Sequence, residues 1–164
     1  MPLLGLGVYK LPDDVQAEAA ITSAISAGYR LIDTASVYKN EESVGRAIAR
    51  CGVPRKDLFI TSKIWNTAQR LGDVQGAFSR SLDRLKLSYV DLCLIHWPVP
   101  GCYLSTWKEL EKILESGRAL SIGVSNFDIR HLEELRKISG IIPAVNQIEC
   151  HPLCYPSELI EYCK

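Results

Sequence analysis

Apolar residues along this chain gather into six short runs, and each run is followed by a polar segment with helical spacing. The runs are Leu3–Tyr9, Leu31–Thr34, Leu58–Lys63, Val90–Trp97, Ser121–Asn126 and Ala144–Cys150. Several are almost continuously apolar rather than alternating, the pattern of strands covered on both faces, as in parallel sheets. Between them the apolar positions change period. Phe78, Leu82 and Leu85 stand at i, i+4 and i+7, and Trp107, Leu110 and Leu114 at i, i+3 and i+7, which predicts amphipathic helices. Thr106 with Glu109 reads as a capping box. Asn40, Asp128 and Ser157 read as N-caps, with Pro156 as an alternative opener of its helix. Gly28 and Gly117 fall just past helix ends. His131 falls on a polar helix face and is expected to be solvated. Strand and helix alternating through short loops predict a right-handed βα series, an α/β fold. No linker or low-complexity tract interrupts it, so residues 1–164 are expected to form a single domain.

At or just before the end of each run stands a polar or small residue: Gly7, Asp33, Lys63, His96, Asn126 and Gln147. They recur roughly every 30 residues. In a (β/α)8 barrel the C-terminal ends of all strands share one rim, where active sites sit. Asp33, Lys63, His96, Asn126 and Gln147 are therefore expected to converge, whereas an open doubly wound sheet would spread them along a crevice. The expected fold is a (β/α)8 TIM barrel with about six of its eight βα units present. Two more units would bring the chain to roughly 220 residues, near the ~250 typical of the fold, so the barrel is read as incomplete. An open barrel exposes two sheet edges, which invites association; a complete one is expected to be a monomer.

Composition narrows the partners. The 164 residues carry 19 basic and 19 acidic side chains, a formal net charge of zero, which argues against nucleic acid or an anionic membrane recognised by bulk electrostatics. No apolar run approaches the ~20 residues of a bilayer span. The start, Met1-Pro2-Leu3-Leu4-Gly5, lacks a basic n-region and a cleavage site, and the expected address is cytoplasmic. Six cysteines (Cys51, Cys93, Cys102, Cys150, Cys154, Cys163) are too sparse for a disulfide scaffold. Cys93, inside an apolar run, is expected to act as a small hydrophobe. The stretch Cys150-His151-Pro152-Leu153-Cys154 offers metal donors but lacks a paired C-x-x-C and a second histidine at ligand spacing, so no metal site is expected. Gly5-Leu6-Gly7 is a lone GxG with Lys10 where a third glycine would stand, not a Rossmann loop. Gly123-Val124-Ser125-Asn126-Phe127 starts like a nucleophile elbow and ends in Phe, which speaks against a hydrolase.

Tyr38 lies five positions after Asp33, in the loop beyond the second strand. A phenol titrates near pH ~10, so donating its proton at neutral pH calls for a neighbour that stabilises the phenolate. Lys63 is expected to do this by charge, with Asp33 holding the ammonium and His96 adding a hydrogen bond to the phenol or to a substrate oxygen. Read as residues alone, the four fit equally an Asp–Lys ion pair beside a buried tyrosine and a core histidine.

Five blocks resemble the aldo-keto reductase family along nearly the whole chain. Gly28-Tyr29-Arg30-Leu31-Ile32-Asp33-Thr34-Ala35-Ser36-Val37-Tyr38 resembles its first signature. Thr61-Ser62-Lys63-Ile64-Trp65 resembles its lysine strand and Asp91-Leu92-Cys93-Leu94-Ile95-His96-Trp97-Pro98 its histidine strand. Ile122-Gly123-Val124-Ser125-Asn126-Phe127 and Asn146-Gln147-Ile148-Glu149-Cys150-His151-Pro152 resemble two further blocks. The resemblance implies an NADPH-dependent oxidoreductase that reduces aldehydes or ketones to alcohols. It implies Asp33, Tyr38, Lys63 and His96 as catalytic residues, with Tyr38 the general acid, and NADPH as hydride donor. It places Ser125, Asn126 and Gln147 on the nicotinamide carboxamide, Gly7, Val8 and Tyr9 under the cofactor with Asp33 beside it, and Trp65 and Trp97 along the substrate pocket. The family's nicotinamide-stacking aromatic, its basic motif for the 2′-phosphate and its C-terminal substrate loop lie beyond residue 164. The rival expectation is a catalytically silent barrel that binds cofactor or a partner, or a fragment that does neither.

Overall fold

The computed structural model describes residues 1–164. The six apolar runs become strands β1 (Gly5–Gly7), β2 (Leu31–Asp33), β3 (Phe59–Ile64), β4 (Leu92–Ile95), β5 (Ile122–Ser125) and β6 (Asn146–Gln147). All pair in parallel, and their order in space is their order in the chain. Helices α1 (Val15–Ser26), α2 (Glu41–Arg50), the pair α3 (Asn66–Leu71) and α4 (Val74–Leu85), α5 (Tyr103–Glu115), α6 (Ile129–Ile138) and α7 (Ser157–Tyr162) follow the six strands in turn. At a strand spacing of ~4.8 Å, a flat sheet would hold β2 and β6 about 19 Å apart. Yet Gln147 Nε2 lies 2.9 Å from Asp33 Oδ2. The sheet is curled, and the fold is a partial (β/α)8 barrel with six βα units, as expected.

The strands are shorter than the apolar runs for local reasons. Lys10 and Asn126 take left-handed backbone (φ 67° and 62°), which breaks extended pairing beyond β1 and β5. The expected strand 144–150 shrinks to two residues because β6 pairs on one side, with β5 alone, through Asn146 and Gln147. The two edges of the open sheet are thus its shortest strands with β2, which limits unpaired backbone.

Helix ends follow the expected chemistry in part. Gly28 and Gly117 sit just past α1 and α5 at φ 102° and 71°. Asp128 caps α6, its carboxylate accepting from the His131 N–H. The capping box read at Thr106 and Glu109 is not formed: the turn through Gly101 lets the backbone N–H groups of Cys102 and Tyr103 reach the Val99 carbonyl, so α5 starts at Tyr103 and Thr106 lies inside it. Asn40 occupies the N-cap position of α2 without capping it, because its side chain is spent elsewhere. Ser157 is the first residue of α7, and Pro156 takes the cap position. His131 is not solvated. Its ring packs edge-on against Tyr103 and Phe127 at 5.3 and 5.6 Å, because the capping box turns it inward.

The core lies between the curled sheet and its helices. Ile32, Ile60, Ile95 and Val124 of the strands pack with Ile21, Val44, Phe78, Trp107 and Leu135 of the helices. Every residue of β4 and β5 is buried, which explains the continuous apolar runs. Cys93 is fully buried there, and burial, then Glu41, push its thiol well up. No disulfide joins the six cysteines. One charge sits deep among these layers: Glu41 of α2, whose carboxylate is fully buried. It accepts from Ser62 Oγ at 2.8 Å and from Arg84 Nε and Nη2 at 2.8 and 2.6 Å. Helices α2 and α4 meet closely because Gly45 has no side chain; a Cβ there would stand 2.4 Å from the Leu85 carbonyl oxygen.

Candidate active site

Side chains alternate along β3, so Ser62 faces the helices while Lys63 faces the interior of the curl. Lys63 is 1% exposed and Asp33, at the end of neighbouring β2, 14%. Lys63 Nζ stands 2.5 Å from Asp33 Oδ1, 3.2 Å from the Thr34 carbonyl oxygen and 3.4 Å from the Tyr38 hydroxyl. Tyr38 ends a short 3₁₀ turn, Ser36–Tyr38, tied to β3 by the bond from Ser36 Oγ to the Lys63 carbonyl. Its ring lies 5.7 Å from the His96 ring, edge-on, and 5.0 Å from that of Tyr9. Residues from β2, its loop, β3 and the end of β4 therefore meet at one rim, as the spacing predicts.

Burial dominates the electrostatics. It pushes the Tyr38 phenol up to about 12, helped by the negative charge of Asp33 and by Tyr9. The expected net lowering of the phenol is therefore not found: burial prevails over the neighbouring ammonium, which burial also weakens, against the pull of Asp33. The phenol keeps its proton across the neutral range. His96 is pushed down to about 4, first by burial and then by Lys63, and stays a neutral imidazole. The unfolded chain binds a proton on this histidine near pH 6.5 while the folded one refuses it until about 4, so stability is expected to fall as pH drops through that window. His96→Gln removes the titration. Urea melts at about pH 7 and about pH 4.5 should show a smaller acid loss in the variant; equal losses would refute the assignment.

The expected carboxamide-binding residues lie on the same rim. Ser125 Oγ donates to the Gln147 carbonyl at 3.0 Å. Asn126 Nδ2 donates to the His96 carbonyl at 2.9 Å and to Ser125 Oγ at 3.1 Å. Gln147 Nε2 donates to Asp33 Oδ2. The free atoms of this set are the Asn126 and Gln147 amide oxygens and the second Gln147 N–H. Near β1, Gly7 is exposed and borders open space, Tyr9 is exposed with its ring against Tyr38, and Val8 is fully buried with its carbonyl accepting from Asn40. Trp65 is half-buried, edge-on to His96 at 5.0 Å. Trp97 is 46% exposed, with its carbonyl accepting from Gln69.

Two contributors escape a reading of strand ends. Thr34 supplies a carbonyl to Lys63, and buried Asn40 ties Thr34 Oγ1 to the carbonyls of Val8 and Leu11. The adjacency of Thr34 to Asp33 was the one available signal for the first. The donor-rich stretch near the end forms a tight cluster of Glu149, His151 and Cys154, with ligand atoms within 4.8 Å of one another, and Cys150 outside it. Leu153 N–H donates to His151 Nδ1, and His151 Nε2 contacts Glu149 at 2.8 Å. The neutral tautomer satisfying both carries its proton on Nε2.

No helix is long and apolar enough to cross a membrane. A model of the Aldo/keto reductase family matches residues 3–164. The chain is 51% identical over 164 residues to glyoxal reductase of Bacillus subtilis, covering all of this chain and 59% of that protein. It is 50% identical over 161 residues to a methylglyoxal reductase of Yersinia pestis, covering 97% and 57%. Among solved structures, an aldo/keto reductase from Brucella melitensis superposes with a TM-score of 0.95 at 47% identity, over 99% of this chain and 64% of that one. A Bombyx mori aldo-keto reductase in complex with NADP gives 0.91 at 39%, over 99% and 59%. The chain thus spans about 57–64% of the length of these relatives, and across that span its sequence and its six βα units show that it belongs to the aldo/keto reductase family.

Proposed function

We propose that this chain, as a single domain, carries the proton-donating site of an NADPH-dependent reductase acting on small aldehydes and ketones, glyoxal and methylglyoxal among them. The observation that carries this reading is the placement of Lys63 Nζ between Asp33 Oδ1 and the Tyr38 hydroxyl, beside a neutral imidazole. When bound, reduced nicotinamide supplies a hydride to the carbonyl carbon. The Tyr38 hydroxyl gives its proton to the carbonyl oxygen as it becomes an alcohol oxygen. At about 12 the phenol holds that proton in water and yields it to a developing alkoxide, a stronger base. The Lys63 ammonium stabilises the phenolate left behind, Asp33 keeps the ammonium in place, and neutral His96 offers a hydrogen bond to the substrate oxygen. Trp65, edge-on to His96, and exposed Trp97 would offer the substrate apolar surface.

The rim fits the cofactor's amide end. A carboxamide needs both donors and acceptors, and the free amide atoms of Asn126 and Gln147 offer both. Gly7 leaves open space alongside. The test is a fluorescence titration with NADPH followed by NADPH consumption with methylglyoxal. Saturable binding with aldehyde-dependent consumption is the expected result. Binding without consumption would favour a cofactor-binding barrel, and no binding would end the cofactor assignment.

A further inference from the structure

The end of β6 reaches back across the curl of the sheet to the second strand. Gln147 Nε2 donates to Asp33 Oδ2 over a separation of 114 residues, while the other oxygen of the same carboxylate holds Lys63. A carboxylate is planar, so a donor fixed on one oxygen sets the direction in which the other points. With Asp33 14% exposed, water competes weakly for Oδ2. Gln147 is itself anchored: its backbone carbonyl accepts from the Asn126 N–H at 2.9 Å and from Ser125 Oγ at 3.0 Å. Asn126 in turn holds the His96 carbonyl. The contacts run from Tyr38 through Lys63, Asp33, Gln147 and the β5 end to His96, whose ring meets Tyr38 again.

We propose that Gln147 is a positioning residue for the proton-donating site: by holding Asp33 Oδ2 it seats the Lys63 ammonium, and so sets the approach of that ammonium to the Tyr38 hydroxyl. The catalytic meaning rests on the reductase reading, but the geometry belongs to the chain alone. The amide spends one N–H on Asp33. Its second N–H and its oxygen stay free for a carboxamide, so the two duties do not compete.

The test reads the Lys63 ammonium directly, by proton–nitrogen NMR of the 164-residue chain labelled on lysine nitrogen, with Lys63→Met identifying the peak. A seated, buried ammonium exchanges its protons with water slowly. Gln147→Met keeps the length and removes the donor; at least tenfold faster exchange of the Lys63 ammonium is expected, with the melting temperature of the chain little changed. Gln147→Glu adds a pH signature. Below about pH 5 a protonated acid restores an O–H donor to Asp33, and above about pH 7 a second carboxylate repels it. Exchange relative to the parent is therefore expected to be near normal in acid and at least tenfold faster at neutral pH. Should Gln147→Met fail to fold, the Gln147→Glu comparison decides alone. Exchange within twofold of the parent in the folded variants, or a parent ammonium exchanging as fast as surface lysines, would overturn the proposal. Failure of the reductase reading looks different: a flat NADPH titration with the Lys63 response intact.

Discussion

Replacing Tyr38 by Phe is expected to lower methylglyoxal reduction about 10²–10⁴-fold, the usual worth of a positioned general acid. Phe keeps the ring and thus the packing against Tyr9 and His96 at 5.0 and 5.7 Å. It deletes the one hydroxyl 3.4 Å from Lys63 Nζ, and with it the proton for the substrate oxygen. The loss should fall on kcat and kcat/KM together, because the hydroxyl acts on charge that develops in the transition state. NADPH affinity, which on this reading depends on Asn126, Gln147 and the β1 end, should stay within about threefold of the parent, a shift of under 1 kcal/mol. The pH profile carries a second check. With the phenol up at about 12 and the imidazole down at about 4, neither group changes state in the neutral range, so the parent rate should be flat there. Full turnover in Tyr38→Phe would place the acid elsewhere.

What could be read in the sequence was periodicity and position. Asp33, Lys63, His96, Asn126 and Gln147 each stand at or near the end of an apolar run, and parallel strands in a barrel must bring such positions to one rim. That topological step needs no knowledge of side-chain contacts, which is why it succeeded across a separation of 114 residues. Acidity was harder to read. Opposite charges argue that Lys63 lowers the phenol, but the sign is decided by how much water reaches Tyr38, and burial is a property of the packed rim rather than of five residues in a row. Side-chain allegiance was harder still. Asn40, an obvious cap by type, turns instead to Thr34, Val8 and Leu11, partners that only tertiary structure supplies. His131 illustrates the same limit: its helical face looks polar until Tyr103 and Phe127 close over it. Thr106 has the cap spacing, but the Gly101 turn starts the helix four residues earlier, with Cys102 in the cap position.

Arg84→Ala is expected to cost about 3–5 kcal/mol of stability, the loss found when a buried charge is left without its partner. The Glu41 carboxylate has no exposed surface, and Arg84 gives it two of its three hydrogen bonds, at 2.8 and 2.6 Å. Ser62 alone, at 2.8 Å, cannot solvate a full negative charge. Arg84 is 35% exposed, so the reverse change is milder: in Glu41→Gln the guanidinium can turn to water and no buried charge remains. At roughly 2–4 °C per kcal/mol for a chain of this size, Arg84→Ala should lower the melting temperature by roughly 10 °C, and Glu41→Gln by less than half of that. The pair Glu41→Leu with Arg84→Met, which removes both charges and refills the volume, should recover most of the loss, since an apolar replacement of a buried ion pair is often neutral or stabilising. Ser62 precedes Lys63 on β3, so the clamp that holds α2 and α4 to the sheet also braces the strand that presents the ammonium. A loss under about 1 kcal/mol in Arg84→Ala would mean that Glu41 finds water or a new donor when α4 lets go, and that the interface of α2, α4 and β3 opens more readily than its packing indicates.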